Sequence, residues 1–558
     1  MARSSRTASG MPTEYSWRGF GPWYHNAFDL MRRIPSKRDG SASVFDLELS
    51  RQVLFTILPD DVRLPWPVDK PPLCITTFTY YDYLQFALIC LRTASANLRS
   101  EHVYAHVNAA DYFRDRLTEQ AAKSVVGTFG PWIGTDSVKT SLHHAAQFHI
   151  KNAWPGAPTQ HKADAFGPAW EHKGKEGWLI LRGPSSEVWF DPWVDALRAK
   201  GVKFVFGAEL QRLEGGDDVV EHAAVRVHGS TMTQVRADHY IMACSPFACR
   251  DVFAQSSPSI RNDEQVRKFP GLVQDGQHIQ VSFRIGFAEP VLTSSTSYAF
   301  ILSDSEYNIT IMPDDLVFHK DEFLGDGVQS LWTGTACVAY RAGELTGFNV
   351  AQSTREGFMR EVLHQLHRSR SLDKMIRESN HGRGLASFRI AETEVWHSWV
   401  FPQQSDGVAT ISAPQPKWVT STTTQRFLPT AATSIRNLVL AGSHTRTNAD
   451  LWSMEGAAES GRRAAFMLKP NGQNRMQVIP QHKPMVLRAL CAVDDVLYLN
   501  GLPNVVDLFS SGLLVAVVKY GVQGWIRNAK MPRLRLLLAL VWGVLCLRSD
   551  SVSAKQFA

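Results

Sequence analysis

Apolar residues in the first third of the chain recur at helical spacing. Residues 25–34 read as a helix that follows a segment dense in glycine and aromatics, residues 14–24. Residues 83–98 place Leu84, Ala87, Leu88 and Leu91 on one stripe, the pattern of an amphipathic helix. Residues 109–126 and 138–150 predict two further helices. Asn108 and Asp136 are their N-cap candidates, because a short polar side chain can accept from an unpaired first-turn N–H. Residues 155–177 are polar and rich in Gly and Pro, and predict a loop.

The pattern then changes. Short apolar runs at 178–181, 202–206, 219–227, 232–237 and 240–244 predict strands, with a turn at Gly229-Ser230. Residues 191–200 predict a helix closed by Gly201 at the C′ position. This order is what the later part of a dinucleotide-binding α/β domain shows. Residues 278–287 alternate cleanly, with Ile279, Val281, Phe283, Ile285 and Phe287 on one side, and predict a half-buried strand. Residues 331–340 predict another strand and 351–368 a helix with Phe358, Val362 and Leu366 on its apolar stripe. The middle of the chain therefore reads as a second, mixed α+β unit.

Composition changes this picture little. The chain has 558 residues, 44% hydrophobic and 20% charged, with net charge +6, which fits two or three compact units. The charge is spread without a long basic run, so no nucleic-acid partner is expected. Seven cysteines, an odd number with no CxxC pair, predict buried free thiols in a reducing, intracellular compartment. No apolar leader precedes residue 14, so a secretory signal is not expected. The basic, serine-rich residues 1–13 faintly resemble the start of a plastid-type transit peptide, but the stretch is short and a disordered tail is the better reading.

The chemistry concentrates in residues 437–465, NLVLAGSHTRTNADLWSMEGAAESGRRAA. A short strand at 438–441 ends at Gly442, where backbone can approach a ligand closely. A polar loop follows, and Ser453 is placed to cap a helix from Met454 to Leu468. That helix presents unpaired N–H groups and a positive dipole end, which suits an anion or a polarised carbonyl. A reduced flavin develops negative charge at N1 and the C2 carbonyl, so a helix start aimed there favours reduction.

This stretch resembles the closing FAD motif of the amine oxidase and phytoene desaturase superfamily. The matching residues are Ala441-Gly442, Thr445, Met454-Glu455-Gly456-Ala457 and Ser460-Gly461; Ser443 stands where relatives carry Asp. Residues 14–35 look like the family segment that passes the flavin, which puts Trp17, Arg18 and Gly19 near the ring. Residues 191–214 resemble the adenine side, with Leu210 at the position whose backbone meets adenine in relatives. Residues 237–243 resemble the family's returning strand, and 483–507 a tail of desaturase-like members. The resemblance implies FAD as cofactor, held by Trp17, Arg18, Gly19, Leu210, Gly442, Ser443, Thr445, Met454, Glu455, Gly456 and Ala457.

One hallmark is missing: the sequence holds no GxGxxG, the turn that cradles the pyrophosphate. Gly19-Phe20-Gly21-Pro22 lacks the third glycine and follows no strand. Either the sequence represents part of a longer flavoenzyme, or the chain has lost the cradle. The persistence of every later segment favours the first reading. The expected fold is α/β: a Rossmann-like FAD-binding domain (14–60, 178–260 and 425–475) without its first βαβ unit. A discontinuous α+β substrate domain (61–177 and 261–424) and a C-terminal extension (476–558) complete it.

Other constellations carry less. His143, His144 and His149 fit no common metal spacing and read as surface or interface histidines, so no metal is expected. Ser185, Ser186 and Ser245 lack a nucleophile-elbow context. Trp396, Trp399 and Phe401 suit either a substrate channel or a core. Residues 536–547 (LLLALVWGVLCL) follow Arg527, Lys530, Arg533 and Arg535; as a helix they would reach only about 18 Å, too short to span, and suit either peripheral membrane contact through 513–547 or packing on the protein or a partner. The resemblance implies hydride transfer from a C–H bond to flavin N5, with an apolar isoprenoid- or polyene-like substrate. An amine substrate is the nearer alternative, and a non-catalytic membrane-peripheral or partner-binding protein without stable FAD is the other class.

Overall fold

The computed structural model describes residues 4–15, 18–50, 55–58, 62–64, 77–135, 137–153, 178–293, 298–405, 407–468, 478–481 and 483–508. Trp17, Asp136, Cys74, Cys546, the loop at 155–177 and the segment at 513–547 lie outside them. The architecture is mixed α/β. Its largest sheet has seven strands in the order Ile390–Val395, Val281–Phe287, Ser330–Ala336, Ile309–Pro313, Ala299–Leu302, Phe55–Leu58, Val62–Leu64. Neighbours run antiparallel except Ala299–Leu302 beside Phe55–Leu58.

The alternation at 278–287 predicts a half-buried strand, but every residue of Val281–Phe287 is buried. The reason lies on the polar face. Phe283 meets Phe358 on the helix Arg355–Arg368, covering the apolar side. The other side lies under the hairpin Ser4–Arg6/Pro12–Glu14, where Met11 reaches Gly286. Ser282 bonds Thr335 at 3.0 Å and Arg284 pairs with Asp314, so the buried polar groups are satisfied.

A second body gathers around a parallel pair, Tyr240–Met242 with Leu438–Leu440. A three-stranded meander packs beside it: Ala208–Gly215, Val220–Val227 and Thr231–Val235, turning at His228–Ser230 as the Gly229-Ser230 signal predicts. The strand expected at 202–206 does not form. Val202, Val205 and Phe206 are exposed, and no described strand lies alongside to pair with them. The chain turns at Gly207 (φ +71°) and begins its strand at Ala208 instead.

The helical layer differs from expectation at its boundaries. The helix expected from residue 83 begins at Tyr80, because Thr79 and Asp82 form a reciprocal capping box. The run 109–126 splits into Ala109–Arg114 and Glu119–Gly127. The Asp82 carboxylate accepts from Thr118 N (2.7 Å) and Thr118 Oγ1 (2.9 Å) and fixes the break. The helix expected at 138–150 runs Leu142–Ala153 and is capped by Ser141, whose Oγ accepts from His144 N. Trp396, Trp399 and Phe401 are buried in the core of the large sheet, Trp399 stacked on Tyr15, which answers the channel-or-core question in favour of core. Cys249, Cys337 and Cys491 are buried thiols, as expected, whereas the thiol-bearing Cys90 and Cys244 are only half-buried.

Candidate active site

The motif at 437–465 folds as its chemistry predicts. Leu438–Leu440 is a buried strand and Met454–Leu468 a helix. Ser453 Oγ accepts from Gly456 N at 3.2 Å, which is the expected cap. The helix then ties three segments together through its inward polar side chains. Glu455 accepts from Asn26 N (3.0 Å), Asn26 Nδ2 (2.7 Å) and Ala27 N (2.9 Å). Glu459 accepts from Asn448 N (2.6 Å) and Ala449 N (2.8 Å), holding the loop before the helix. Ser460 Oγ accepts from Gly442 N at 2.7 Å, holding the strand end.

Glycine is required at two of these positions. Gly442 has φ +137°, and a Cβ there would strike the His444 ring. A Cβ on Gly456 would lie 2.6 Å from Leu451 O. Thr445 is buried and returns both its N–H and its hydroxyl to Gly442 O. Ser443 Cβ sits 3.7 Å from the position a Gly456 side chain would take, so Ser443 lies against the helix start. Ala457 is on the exposed side of the same turn.

A cavity of about 180 Å³ opens at this helix start. Its wall joins Gly19, Trp23 and Tyr24 from one end of the chain to Leu451, Trp452, Ser453 and Met454 from the other. Phe148, Trp178, Ile133, Gln280 and Lys417 close it. Trp23 meets Phe148 and Trp178 edge to face at 5.5 and 5.4 Å. The structure thus brings expected residues Gly19 and Met454 to one cavity. Arg18 is held away by Glu14 (2.7 Å) and lies over the Phe190 ring, and Leu210 sits in the meander, outside the cavity wall. The Glu455 carboxylate is spent on the helix His25–Met31, so the residue acts on the site by positioning that helix.

Lys417 is the site residue that sequence reading misses. Its ammonium donates to Gln280 Oε1, and burial pushes its pKa down to about 8. A lone lysine in the irregular stretch before Trp418 has no periodicity or spacing to mark it; only the backbone bridge His278–Lys417 brings it to the sheet. The histidines also depart from expectation. His143 and His144 are buried rather than superficial, and His143 Nε2 meets the Asp450 carboxylate. No helix of the described residues is long and apolar enough to cross a membrane.

Fold and site together define a flavin-dependent oxidoreductase. The family model for flavin-containing amine oxidoreductases matches residues 160–466, more than half of the chain, and the chain belongs to that family. FAD is accordingly its cofactor. Among solved structures it is similar to a triple mutant of putrescine oxidase, at 12% identity and TM-score 0.51, over 84% of this chain and 91% of the other. Wild-type putrescine oxidase bound to putrescine aligns at 10% identity and TM-score 0.50, over 84% and 90%. Cyclohexylamine oxidase from Brevibacterium oxydans IH-35A aligns at 13% identity and TM-score 0.47, over 84% and 91%. No curated protein matches the sequence. A capped helix start with an aromatic cavity beside it is an arrangement that suits the ring end of the cofactor.

Proposed function

We propose that this chain oxidises a C–H bond of an uncharged, apolar molecule of isoprenoid or polyene type. The observation that carries the reading is the cavity wall. Among the described residues it is built mainly from aromatic and aliphatic side chains, with Gln280 and Ser453 as neutral polar groups, Lys417 as its one cation and no carboxylate. An ammonium substrate there would face a like charge with nothing to balance it. When bound, FAD supplies the two-electron acceptor. The chain's own residues then do three things. Trp23, Trp178 and Trp452 exclude water and orient an apolar substrate. The first-turn N–H groups of Met454 and Glu455, which have no intrahelical acceptor, stabilise negative charge that develops beside them. Lys417 adds a positive charge held by Gln280. Gly442, Ser443, Thr445, Gly456 and Ala457 form the turn around the ring, and Leu210 serves the adenine end. The parallel pair Tyr240–Met242/Leu438–Leu440 supports a Rossmann-like reading of that body.

A second reading, an amine substrate, draws on the same tryptophans, since aromatic faces attract ammonium groups. Anaerobic mixing of the FAD-loaded protein with a panel of polyenes and of primary amines distinguishes the two. Bleaching of the flavin by polyenes supports the proposal, and bleaching by amines alone overturns it. We further propose peripheral contact with a lipid surface. The helix Met485–Leu499 buries Leu487 and Cys491 but leaves Met485, Val486, Val493, Val496 and Leu499 exposed.

A further inference from the structure

Behind the Trp452 wall lies a cluster that the oxidation chemistry does not use. His143, His144 and Asp450 each offer a ligand atom, and these atoms lie within 4.8 Å of one another. Both imidazoles are buried and both have their Nδ1 held by a hydroxyl: His143 by Ser100 at 2.8 Å, His144 by Ser141 at 2.9 Å. Each ring therefore turns its Nε2 toward the cluster. His143 Nε2 meets Asp450, while His144 Nε2 is buried with no hydrogen-bond partner. A fourth group completes the arrangement. Gln425 donates its Nε2 to Asp450 Oδ1 at 3.5 Å, and its buried Oε1 faces His144 without a well-formed hydrogen bond.

We propose that His143, His144 and Asp450, with the amide oxygen of Gln425 as fourth donor, bind one divalent transition-metal ion of the zinc class. Two imidazoles and a carboxylate are a ligand set such an ion accepts, and serine hydroxyls on the far ring nitrogens fix the tautomer that coordination needs. Ligand atoms at about 2.0–2.1 Å from a tetrahedral ion stand about 3.3 Å apart, so the site closes by small side-chain movements. Binding replaces the His143–Asp450 proton with the ion and satisfies both orphaned atoms. Lys151 is the nearby opposing charge, and it is directed at the carbonyl oxygens of Asn448 and Ala449. Because His144 packs edge-on against Trp452 at 5.0 Å, the ion would pin the loop before the motif helix to the helix Leu142–Ala153 and so set one wall of the cavity.

The test is zinc binding by the full chain after chelator treatment, read by equilibrium dialysis and elemental mass spectrometry. One Zn²⁺ per chain is expected for the wild type, lost in His144→Ala and Asp450→Asn, and weakened about 10- to 100-fold in Ser100→Ala and Ser141→Ala. Circular dichroism checks that each variant is folded. X-ray absorption of the zinc-loaded wild type, which needs no variant, should show two imidazoles and oxygen donors. A wild type that binds no zinc, or zinc bound through sulfur or without imidazole, overturns the proposal and leaves the cluster as a buried ion pair only.

Discussion

Replacing Gly456 by alanine tests whether the first turn of the motif helix is as tightly held as it looks. The added Cβ would lie 2.6 Å from Leu451 O, a backbone atom that cannot rotate away. Overpacking of this kind costs about 1–3 kcal/mol. Alanine also returns about 1 kcal/mol of helix propensity relative to glycine. The same helix carries its own control. A Cβ on Gly461 meets nothing within 4 Å, so Gly461→Ala collects the propensity gain alone. The two variants should therefore differ by about 1–3 kcal/mol in unfolding free energy, with Gly461→Ala the more stable. Denaturant unfolding reads this directly. Because Leu451, Trp452 and Ser453 form the cavity wall, Gly456→Ala should also weaken FAD binding, by about tenfold if about 1.4 kcal/mol of the strain reaches the ligand. Titration of the apo-protein with FAD measures that. Equal stability of the two alanine variants would refute the reasoning, because it would mean the Leu451 carbonyl yields freely.

Burial holds four histidines neutral in the fold: His144 at a pKa of about 3, His149 and His444 at about 4, and His278 likewise well below the ordinary value of 6.5. The unfolded chain binds protons that the fold refuses, so their contribution is complete above pH 6.5 and lost as pH falls; at pH 5.5 each costs about 1–2 kcal/mol, roughly 5 kcal/mol for the four. Urea midpoints at pH 7.5 and 5.5 check this, and a flat profile contradicts it. Glu455→Gln turns an acceptor into a donor facing Asn26 and Ala27, with an expected loss of about 1–3 kcal/mol in unfolding free energy. Lys417→Met should remove a limb near pH 8 from the rate of flavin reduction, since the wild-type ammonium is lost as pH rises through that value; a limb that persists assigns it elsewhere. Val493→Glu with Val496→Glu should abolish co-flotation with anionic liposomes, and unchanged flotation would remove this helix from the lipid contact.

The motif at 437–465 was legible because several constraints act on adjacent residues. A strand end, a left-handed glycine, an N-cap and a close-packed glycine leave a local signature, and each has its counterpart in Gly442, Ser453 and Gly456. The meander and the helix Arg355–Arg368 were legible for the same reason, since period and turn chemistry are local. What escaped depends on partners distant in sequence. The burial of Ser282 and Arg284 follows from a hairpin more than 260 residues away, at Ser4–Arg6 and Pro12–Glu14. Val202–Phe206 has the composition of a strand but, among the described residues, no neighbour to make it one. Lys417, and the meeting of His143 with Asp450, arise from tertiary placement across gaps that no spacing rule spans.

The carboxylate of Glu455 closes a bond to Asn26 across 429 positions of sequence. During synthesis, Trp23 can pack on Phe148 and Trp178 as soon as these emerge, but the Glu455 bonds that hold the helix His25–Met31 form only after about 430 further residues. Loop closure over such a span is slow and is rewarded only at the end. The helix His25–Met31 is thus a segment whose polar anchorage is completed late, and a folding intermediate without the motif helix leaves Asn26 and Ala27 short of their acceptor.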